Sequence, residues 1–265
     1  MAGYKEAANS VYGKSNEETS WLRDFKYTLS TTINGQLMLT MLAEQLMEIP
    51  DLTLIQINTD GLTCKLRKQH ESEYYNICKQ WESITKLQLE YAYYSKMIIR
   101  DVNNYIAIYT NGKAKCKGSF EFENLPLHKN KSELIVRKAI YNYFLYNTPV
   151  EDTIINGDNI FDYCIGVRAK QDSSFIGITN NNTVTKLPKT IRYIISKTGM
   201  IFKKVYSKGS YEYLNAHPQK GKSYYSQLLN QVQSTNPKDY NINYQYYIVQ
   251  ANNEVVKFKP KHSLF

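Results

Sequence analysis

Residues 52–66 read LTLIQINTDGLTCKL, and this stretch decides the fold of the first part of the chain. Two short runs with alternating apolar residues flank Asp60-Gly61, and Asp-Gly between such runs is a strong short-range signal for a β-hairpin. An aspartate at a hairpin tip is exposed and held by two strands, which suits a magnesium ligand. Asp-Gly is also favoured in such turns for backbone reasons alone, so Asp60 by itself does not establish a metal site.

The patterns on either side of the hairpin predict an α+β fold. A helix at 17–48 carries two apolar stripes, one with Leu29, Ile33, Leu37 and Met41 and the other with Leu39, Leu42 and Leu46, which predicts burial on more than one side. After the hairpin, the patterns predict a helix at 70–84, strands at 87–99, 102–110 and 113–118, and a helix near 132–146. Asn111-Gly112 is expected to turn the second hairpin.

Composition favours a polyanionic partner. The chain has 265 residues, with 33 Lys and Arg against 24 Asp and Glu, for a formal net charge of +9. Nucleic acid is the commonest soluble polyanion. No run of about 18 apolar residues and no signal-like start is present, so no membrane association is expected and a cytoplasmic location (the host cytoplasm if the protein is viral) is predicted.

Cysteine and tyrosine usage adds two expectations. The four cysteines form no Cys-x-x-Cys pair, which excludes the usual zinc and redox motifs and favours reduced thiols in an intracellular protein. The 24 tyrosines suit a nucleic-acid groove, where rings stack on bases and hydroxyls reach phosphates. An A/T-rich coding sequence explains the same excess equally well, so both explanations stay open.

Residues 5–13 read KEAANSVYG and are expected to be the end of a helix that breaks at Gly13. On a helix Lys5, Asn9 and Tyr12 lie at positions i, i+4 and i+7 and project from one face. A cation, an amide and a phenol together suit a nucleoside triphosphate. A solvated polar helix face also explains this pattern.

Lys113, Lys115 and Lys117 alternate along a predicted strand and therefore share one face. Their spacing of about 6.6 Å is close to the phosphate repeat of an extended nucleic-acid strand. This favours a DNA contact. Lysines that protect an edge strand from aggregation are the alternative.

In this order, these segments resemble family B DNA polymerases, particularly those of tailed phages. The fingers-helix motif of that family, Lys-x-x-x-Asn-Ser-x-Tyr-Gly, matches residues 5–13 at every fixed position. The Asp-Thr-Asp hairpin of the family corresponds to Asn58-Thr59-Asp60. Residues 103–106 and 113–118 look like the basic, Tyr-containing hairpin and the Lys-x-x-Gly-type segment that hold the primer-template. The resemblance covers about 1–120; beyond it lie only a thumb-like tail, Arg192-Tyr193 and residues 244–247.

The resemblance implies roles for individual residues. Lys5 is expected to neutralise the triphosphate, Asn9 and Tyr12 to line the nascent base pair, and Gly13 to let the backbone approach it. Asp60 is expected to be the catalytic carboxylate, as a ligand of a two-metal Mg²⁺ site. The residues expected to bind primer-template DNA are Tyr105, Lys113, Lys115, Lys117 and Gly118.

The resemblance also implies a domain plan. It gives the end of the fingers helix at 1–16, a palm with an antiparallel sheet packed on helices at 17–125, and a mixed helical and strand thumb with the C-terminal region at 126–265. Asn58 departs from the family pattern in place of the first aspartate, which is expected to be tolerated with weaker electrostatic support.

The larger departure is the lack of an Asp-x-x-Ser-Leu-Tyr-Pro-like segment in these residues. We therefore expect an N-terminal polymerase half to supply the second metal-binding aspartate and any exonuclease, and we do not expect this chain to polymerise alone. The expected partners are thus primer-template DNA, deoxynucleoside triphosphates and that half. A non-catalytic DNA-binding remnant of a polymerase is the main alternative, and a basic α+β RNA-binding protein is a third.

Overall fold

The computed structural model describes residues 2–126 and 128–258, with the side chains of Ala2 and Lys5 outside the described set. Within these residues it shows a mixed α+β protein with six α-helices and four small antiparallel sheets. The α+β prediction is therefore confirmed. The chain forms two compact units, Met1–Ala92 and Tyr93–Phe265. Their boundary is the 92/93 junction, whereas the sequence placed divisions at 16/17 and 125/126; the palm and thumb assignments stay predictions.

The first unit contains three helices and one hairpin: α1 (Ala2–Ser15), α2 (Phe25–Met47), α3 (Glu71–Thr85), β1 (Thr53–Ile57) and β2 (Leu62–Lys65). The hairpin and α3 lie where the sequence predicted them. The helix expected from residue 17 instead begins at Phe25, because the Asp24 carboxylate caps it by accepting a hydrogen bond from Tyr27 N at 2.9 Å.

Gly13 does not end α1, which continues to Ser15. The Ser15 hydroxyl donates to Tyr12 O at 2.7 Å and lies 2.7 Å from Thr28 Oγ1 of α2. These contacts hold the last turn of α1 against α2, so the helix passes through the glycine instead of stopping there.

The core of the first unit joins the C-terminal half of α2 to α3. It consists of Leu42, Leu46, Ile49, Cys78 and Trp81. The Trp81 indole N–H donates to Met38 O at 2.7 Å, which satisfies the polar atom of this buried ring. Leu52 and Leu62 pack on the same cluster and so attach the β1–β2 hairpin to the helices.

The apolar side chains in the N-terminal half of α2 are exposed to solvent. Leu29, Ile33 and Leu37 are 43%, 48% and 61% exposed, whereas Leu39, Leu42 and Leu46 are buried. The prediction of burial on two sides is therefore wrong for the first three residues of the first stripe, whereas its fourth residue, Met41, packs against the core that contains Leu42 and Leu46. We call Phe25, Leu29, Ile33 and Leu37 the α2 stripe.

The second unit contains the remaining elements: α4 (Leu134–Tyr146), α5 (Val150–Ile155), α6 (Tyr244–Val256), β3 (Tyr94–Asp101), β4 (Asn104–Tyr109), β5 (Ala114–Lys117), β6 (Ile165–Arg168), β7 (Ser173–Ile178), β8 (Val184–Leu187), β9 (Thr190–Ser196), β10 (Ile201–Tyr206), β11 (Tyr211–Tyr213) and β12 (Tyr225–Leu228). The strands form three sheets with the orders β3-β4-β5, β12-β9-β6 and β11-β10-β7-β8. The predicted turn at Asn111-Gly112 joins β4 to β5, and Gly112 adopts a φ of +81° that suits glycine.

Tyrosines form part of the core of the second unit. Tyr163, Tyr193 and Tyr247 are at most 1% exposed. The Tyr247 hydroxyl donates to Tyr163 O at 2.8 Å and accepts from Ile195 N at 3.0 Å, and the Tyr193 hydroxyl donates to Asn215 Oδ1. Part of the tyrosine excess therefore fills the interior with satisfied hydroxyls, and Tyr193 and Tyr247 from the loosely matching region are core residues.

The cysteines are all free, as their spacing indicated. Burial raises the pKa of Cys64 and of Cys164 to about 11 and that of Cys116 to about 12. These thiols stay protonated at neutral pH. No helix within residues 2–126 and 128–258 is long and apolar enough to cross a membrane.

Glu133 carries a buried carboxyl just before α4. One of its oxygens, Oε1, has no hydrogen-bond partner. Burial raises the pKa of Glu133 above its ordinary value of 4.5, against the opposing effects of a hydrogen bond with Tyr246 and the charge of Arg137. The Arg137 guanidinium is also held by Glu121 O at 2.8 Å and Asn130 O at 3.1 Å, so it has partners besides this carboxylate.

We predict that Glu133→Gln stabilises the protein at neutral pH. Because the folded-state pKa is raised, the contribution of Glu133 to stability is complete below pH 4.5 and is lost as pH rises through the folded pKa. Glutamine keeps an acceptor for Tyr246 without the buried charge. Thermal unfolding from pH 4 to 8 should show a flatter profile for the variant and a higher Tm at pH 7–8. Parallel profiles for both proteins would contradict this account.

Candidate functional site

Four residues of α1 are predicted to contact a nucleotide, and three of them are accessible to solvent. Asn9 and Gly13 are exposed and Tyr12 is 39% exposed. The Tyr12 hydroxyl lies 2.8 Å from Thr32 Oγ1 of α2, which fixes the ring while leaving part of it open. Apart from its chain neighbours and its own helix backbone, no described atom lies within 4 Å of the place a Cβ on Gly13 would occupy, so none of these contacts requires glycine there. The fourth residue, Lys5, has its side chain outside the described set.

Asp60 projects from the β1–β2 tip and is exposed. The turn beneath it is closed by Asn58 N, which donates to Gly61 O at 2.9 Å, and by Asp60 N, which donates to Asn58 Oδ1 at 3.3 Å. Asn58 therefore acts as a side-chain acceptor inside its own turn, a common use of asparagine.

The described residues do not by themselves form a magnesium site. Among them no group of three or more His, Cys, Asp and Glu side chains is placed to hold a metal ion. Mg²⁺ prefers about six oxygen ligands in octahedral geometry, and it usually takes one or two carboxylates together with substrate phosphates. Asp60 supplies one carboxylate. The two-metal site stays a prediction that needs further ligands from elsewhere.

The three lysines of β5 and its preceding turn are exposed to solvent. Lys113, Lys115 and Lys117 are exposed, and Ala114 and Cys116 between them are half-buried, so the lysines share one face. β5 is an edge strand of its sheet, paired only with β4 in the described residues. This geometry is compatible both with phosphate binding and with protection of the edge.

Tyr105 and Gly118 have structural roles in this sheet. Tyr105 lies opposite the exposed Lys117 in the ladder but is itself only 6% exposed, so its ring is not presented to a base. Gly118 has a φ of +66°, and a Cβ there would lie 2.5 Å from Asn104 Oδ1 and closer still to Asn103 O. Asn104 Oδ1 accepts from both Ser119 N and Ser119 Oγ at 2.8 Å. The segments at 103–106 and 113–118 are thereby joined.

Sequence reasoning missed a second group of basic and aromatic side chains. Lys203, Tyr211 and Tyr213 come together on β10 and β11, with the Lys203 ammonium 3.9 Å from the centre of the Tyr211 ring. No motif along the chain marks them. Only the alternation of Tyr211 and Tyr213 around Glu212 is visible in the sequence.

The fold is similar to that of a DNA polymerase. No protein-family model matches the sequence, and no curated protein matches it. A solved structure, the family B DNA polymerase from the hyperthermophilic archaeon Pyrobaculum calidifontis, matches 98% of this chain with a TM-score of 0.53 and 11% sequence identity. This chain spans about a third (33%) of the length of that polymerase.

We predict that Gly118→Ala destabilises the β3-β4-β5 sheet. The left-handed backbone alone costs about 1–3 kcal/mol for a residue with a Cβ, and the new methyl also clashes with Asn103 and Asn104. Urea unfolding should show a lower midpoint than the parent. Gly13→Ala is the matched control, since its Cβ meets open space; equal midpoints for Gly118→Ala and the parent would be inconsistent with the network.

Proposed function

We propose that this chain is the fingers-end, palm and thumb portion of a family B DNA polymerase of the tailed-phage type. The observation that carries the proposal is the agreement between two likenesses. The fold is similar to a family B polymerase over nearly the whole chain, and the Lys-x-x-x-Asn-Ser-x-Tyr-Gly helix and the Asp60 hairpin occur in one compact unit.

The proposed reaction adds a deoxynucleotide to a primer. The primer 3′-hydroxyl attacks the α-phosphate in line and pyrophosphate leaves, so the protein must chiefly position and neutralise the phosphates. In the proposal Lys5 neutralises the triphosphate and Asn9 and Tyr12 line the new base pair. Their accessibility on α1, together with the tethering of Tyr12 to Thr32, supports this assignment for Asn9 and Tyr12.

Asp60 is proposed as one carboxylate of a Mg²⁺ site completed by another polypeptide segment. The exposed α2 stripe supports the involvement of such a segment. Most of the stability of a helix in a protein comes from the packing of its apolar face against another segment. In the α2 stripe, Phe25 is 60% exposed and Leu37 is 61% exposed. We propose that an N-terminal polymerase half covers the stripe and brings the second aspartate, together with any exonuclease.

Primer-template DNA is proposed to lie along Lys113, Lys115 and Lys117. Their exposure and common face are what phosphate contacts require. Tyr105 and Gly118 contribute by building the sheet that presents the lysines, since Tyr105 is buried and Gly118 is required by the backbone.

The decisive test combines this chain with its N-terminal polymerase half and follows Mg²⁺-dependent extension of a primed template. We predict that Asp60→Asn reduces extension to the no-enzyme background. Asparagine has nearly the same shape as aspartate but lacks the negative charge that binds the metal ion. DNA binding should change little, since Asp60 is exposed at a tip whose backbone hydrogen bonds the variant retains.

Asp51→Asn is a suitable control for that test. Asp51 is an exposed carboxylate of the same unit, ion-paired with Arg67 at 3.2 Å and outside the hairpin tip. It should leave extension intact. Retained extension by Asp60→Asn would exclude the proposed role of Asp60.

We predict that replacing Lys113, Lys115 and Lys117 by alanine weakens binding to primed duplex DNA and flattens its salt dependence. Each lost phosphate contact lowers the slope of log K against log salt by about 0.9, so three contacts lower it by about 2.7. Binding titrations between roughly 50 and 200 mM salt provide the measurement. If the lysines only protect the edge strand, the slope will stay unchanged and the variant will aggregate more readily.

A non-catalytic DNA-binding remnant is the second candidate. The observation that favours it is that Asp60 belongs to no group of three or more metal-binding side chains in the described part of the chain. It predicts DNA binding with the same lysine dependence but no extension with any N-terminal half, which the combined assay distinguishes directly.

A further inference from the structure

The β11-β10-β7-β8 sheet has two different faces. One face is buried and contributes Phe175, Leu187 and Phe202 to the core of the second unit. On the other face the ladder places Tyr213, Lys203, Ile176 and Lys186 in one row across the four strands. Tyr213 and Ile176 are not among the hydrophobic residues that pack against the described core, and all four residues are exposed or half-exposed.

A tyrosine pair surrounds the ammonium group on this face. Lys203 Nζ lies 3.9 Å from the centre of the Tyr211 ring and 4.9 Å from that of Tyr213. The two rings are 5.9 Å apart and nearly perpendicular. Tyr211 remains 55% exposed, so it offers an aromatic surface beside a positioned cation.

The face carries positive charge without a balancing carboxylate from its own four strands. The only acidic residue of these strands is Glu212, which alternates to the other side and there pairs with Lys204 at 3.3 Å and accepts from the Tyr206 hydroxyl at 2.7 Å. Lys186 and Lys203 thus remain for an anionic ligand, while Val205, Ile176 and Ile178 provide half-buried apolar surface between them.

We propose that this face binds an unpaired nucleic-acid strand. A base stacks on Tyr211, and the adjoining phosphates contact Lys203 and Lys186. Exposed aromatic rings with neighbouring cations on a sheet surface are what single strands require, since every base has a stacking face and every linkage a charge. The row from β11 to β8 spans three inter-strand spacings, or about 14 Å, which is enough for more than one nucleotide.

This surface is distinct from the lysine row on β5, which belongs to another sheet. It requires neither a metal ion nor a nucleotide. The inference therefore goes beyond the proposed polymerase activity: it stands if Asp60 proves dispensable, and it can fail while primer extension succeeds.

The test measures fluorescence anisotropy of a labelled single-stranded oligothymidylate with the full chain, without Mg²⁺ or nucleotides. Tyr211→Ala is expected to weaken binding by about 5- to 150-fold, the range for loss of one stacked base. Tyr211→Phe should retain most of the affinity, because it keeps the ring, and Lys203→Ala should lower both the affinity and the salt slope. The same substitutions in the triple-alanine variant of the β5 lysines should have the same effect, because the two surfaces are separate.

Tyr146→Ala is the matched control. This tyrosine is 66% exposed at the end of α4, away from the sheet, and its loss should leave single-strand binding unchanged. Far-UV circular dichroism checks that each variant is folded. If Tyr211→Ala binds the oligonucleotide as tightly as the parent, the proposal is overturned. It is overturned equally if the variant instead impairs only assembly with the N-terminal half, because the face is then a protein interface.

Discussion

The packing of Trp81 and Cys78 on α3 against Leu42, Leu46 and Ile49 holds the first unit together. An isolated two-stranded hairpin is marginally stable in water, so β1 and β2 depend on a helical partner to hold the Asp60 tip in place. Leu52, just before β1, and Leu62, the first residue of β2, provide that attachment. Removing a side chain as large as Trp81 from such a core costs about 3–5 kcal/mol, which is a large fraction of the stability of a typical domain.

The first unit also has two features that one additional segment could account for. Its α2 stripe is apolar and exposed, and its candidate catalytic carboxylate belongs to no group of three or more metal-binding side chains within the described residues. A segment that packed on the stripe and carried an aspartate would correct both. In the proposed function, this segment connects the energetics of the fold with the chemistry of the proposed site.

In the second unit, tyrosine serves two purposes that composition cannot separate. Buried rings such as Tyr193 and Tyr247 fill the core with their hydroxyls satisfied, whereas Tyr211 lies on a solvent-facing sheet beside Lys203. The chemistry of the side chain is identical in both places. The role of each tyrosine depends on whether its ring packs against other protein residues or faces solvent.

The sequence by itself established the features that depend only on neighbouring residues, namely turns and helices. Asp60-Gly61 and Asn111-Gly112 specify their turns within a few residues, and the helical period of α3 is visible without its neighbours. Burial belongs to the tertiary structure, because it depends on residues far along the chain. Only the tertiary structure therefore decided that the α2 stripe is exposed, that Tyr105 is buried, that Gly118 is needed to avoid Asn104, and that Lys203 meets Tyr211 across a ladder.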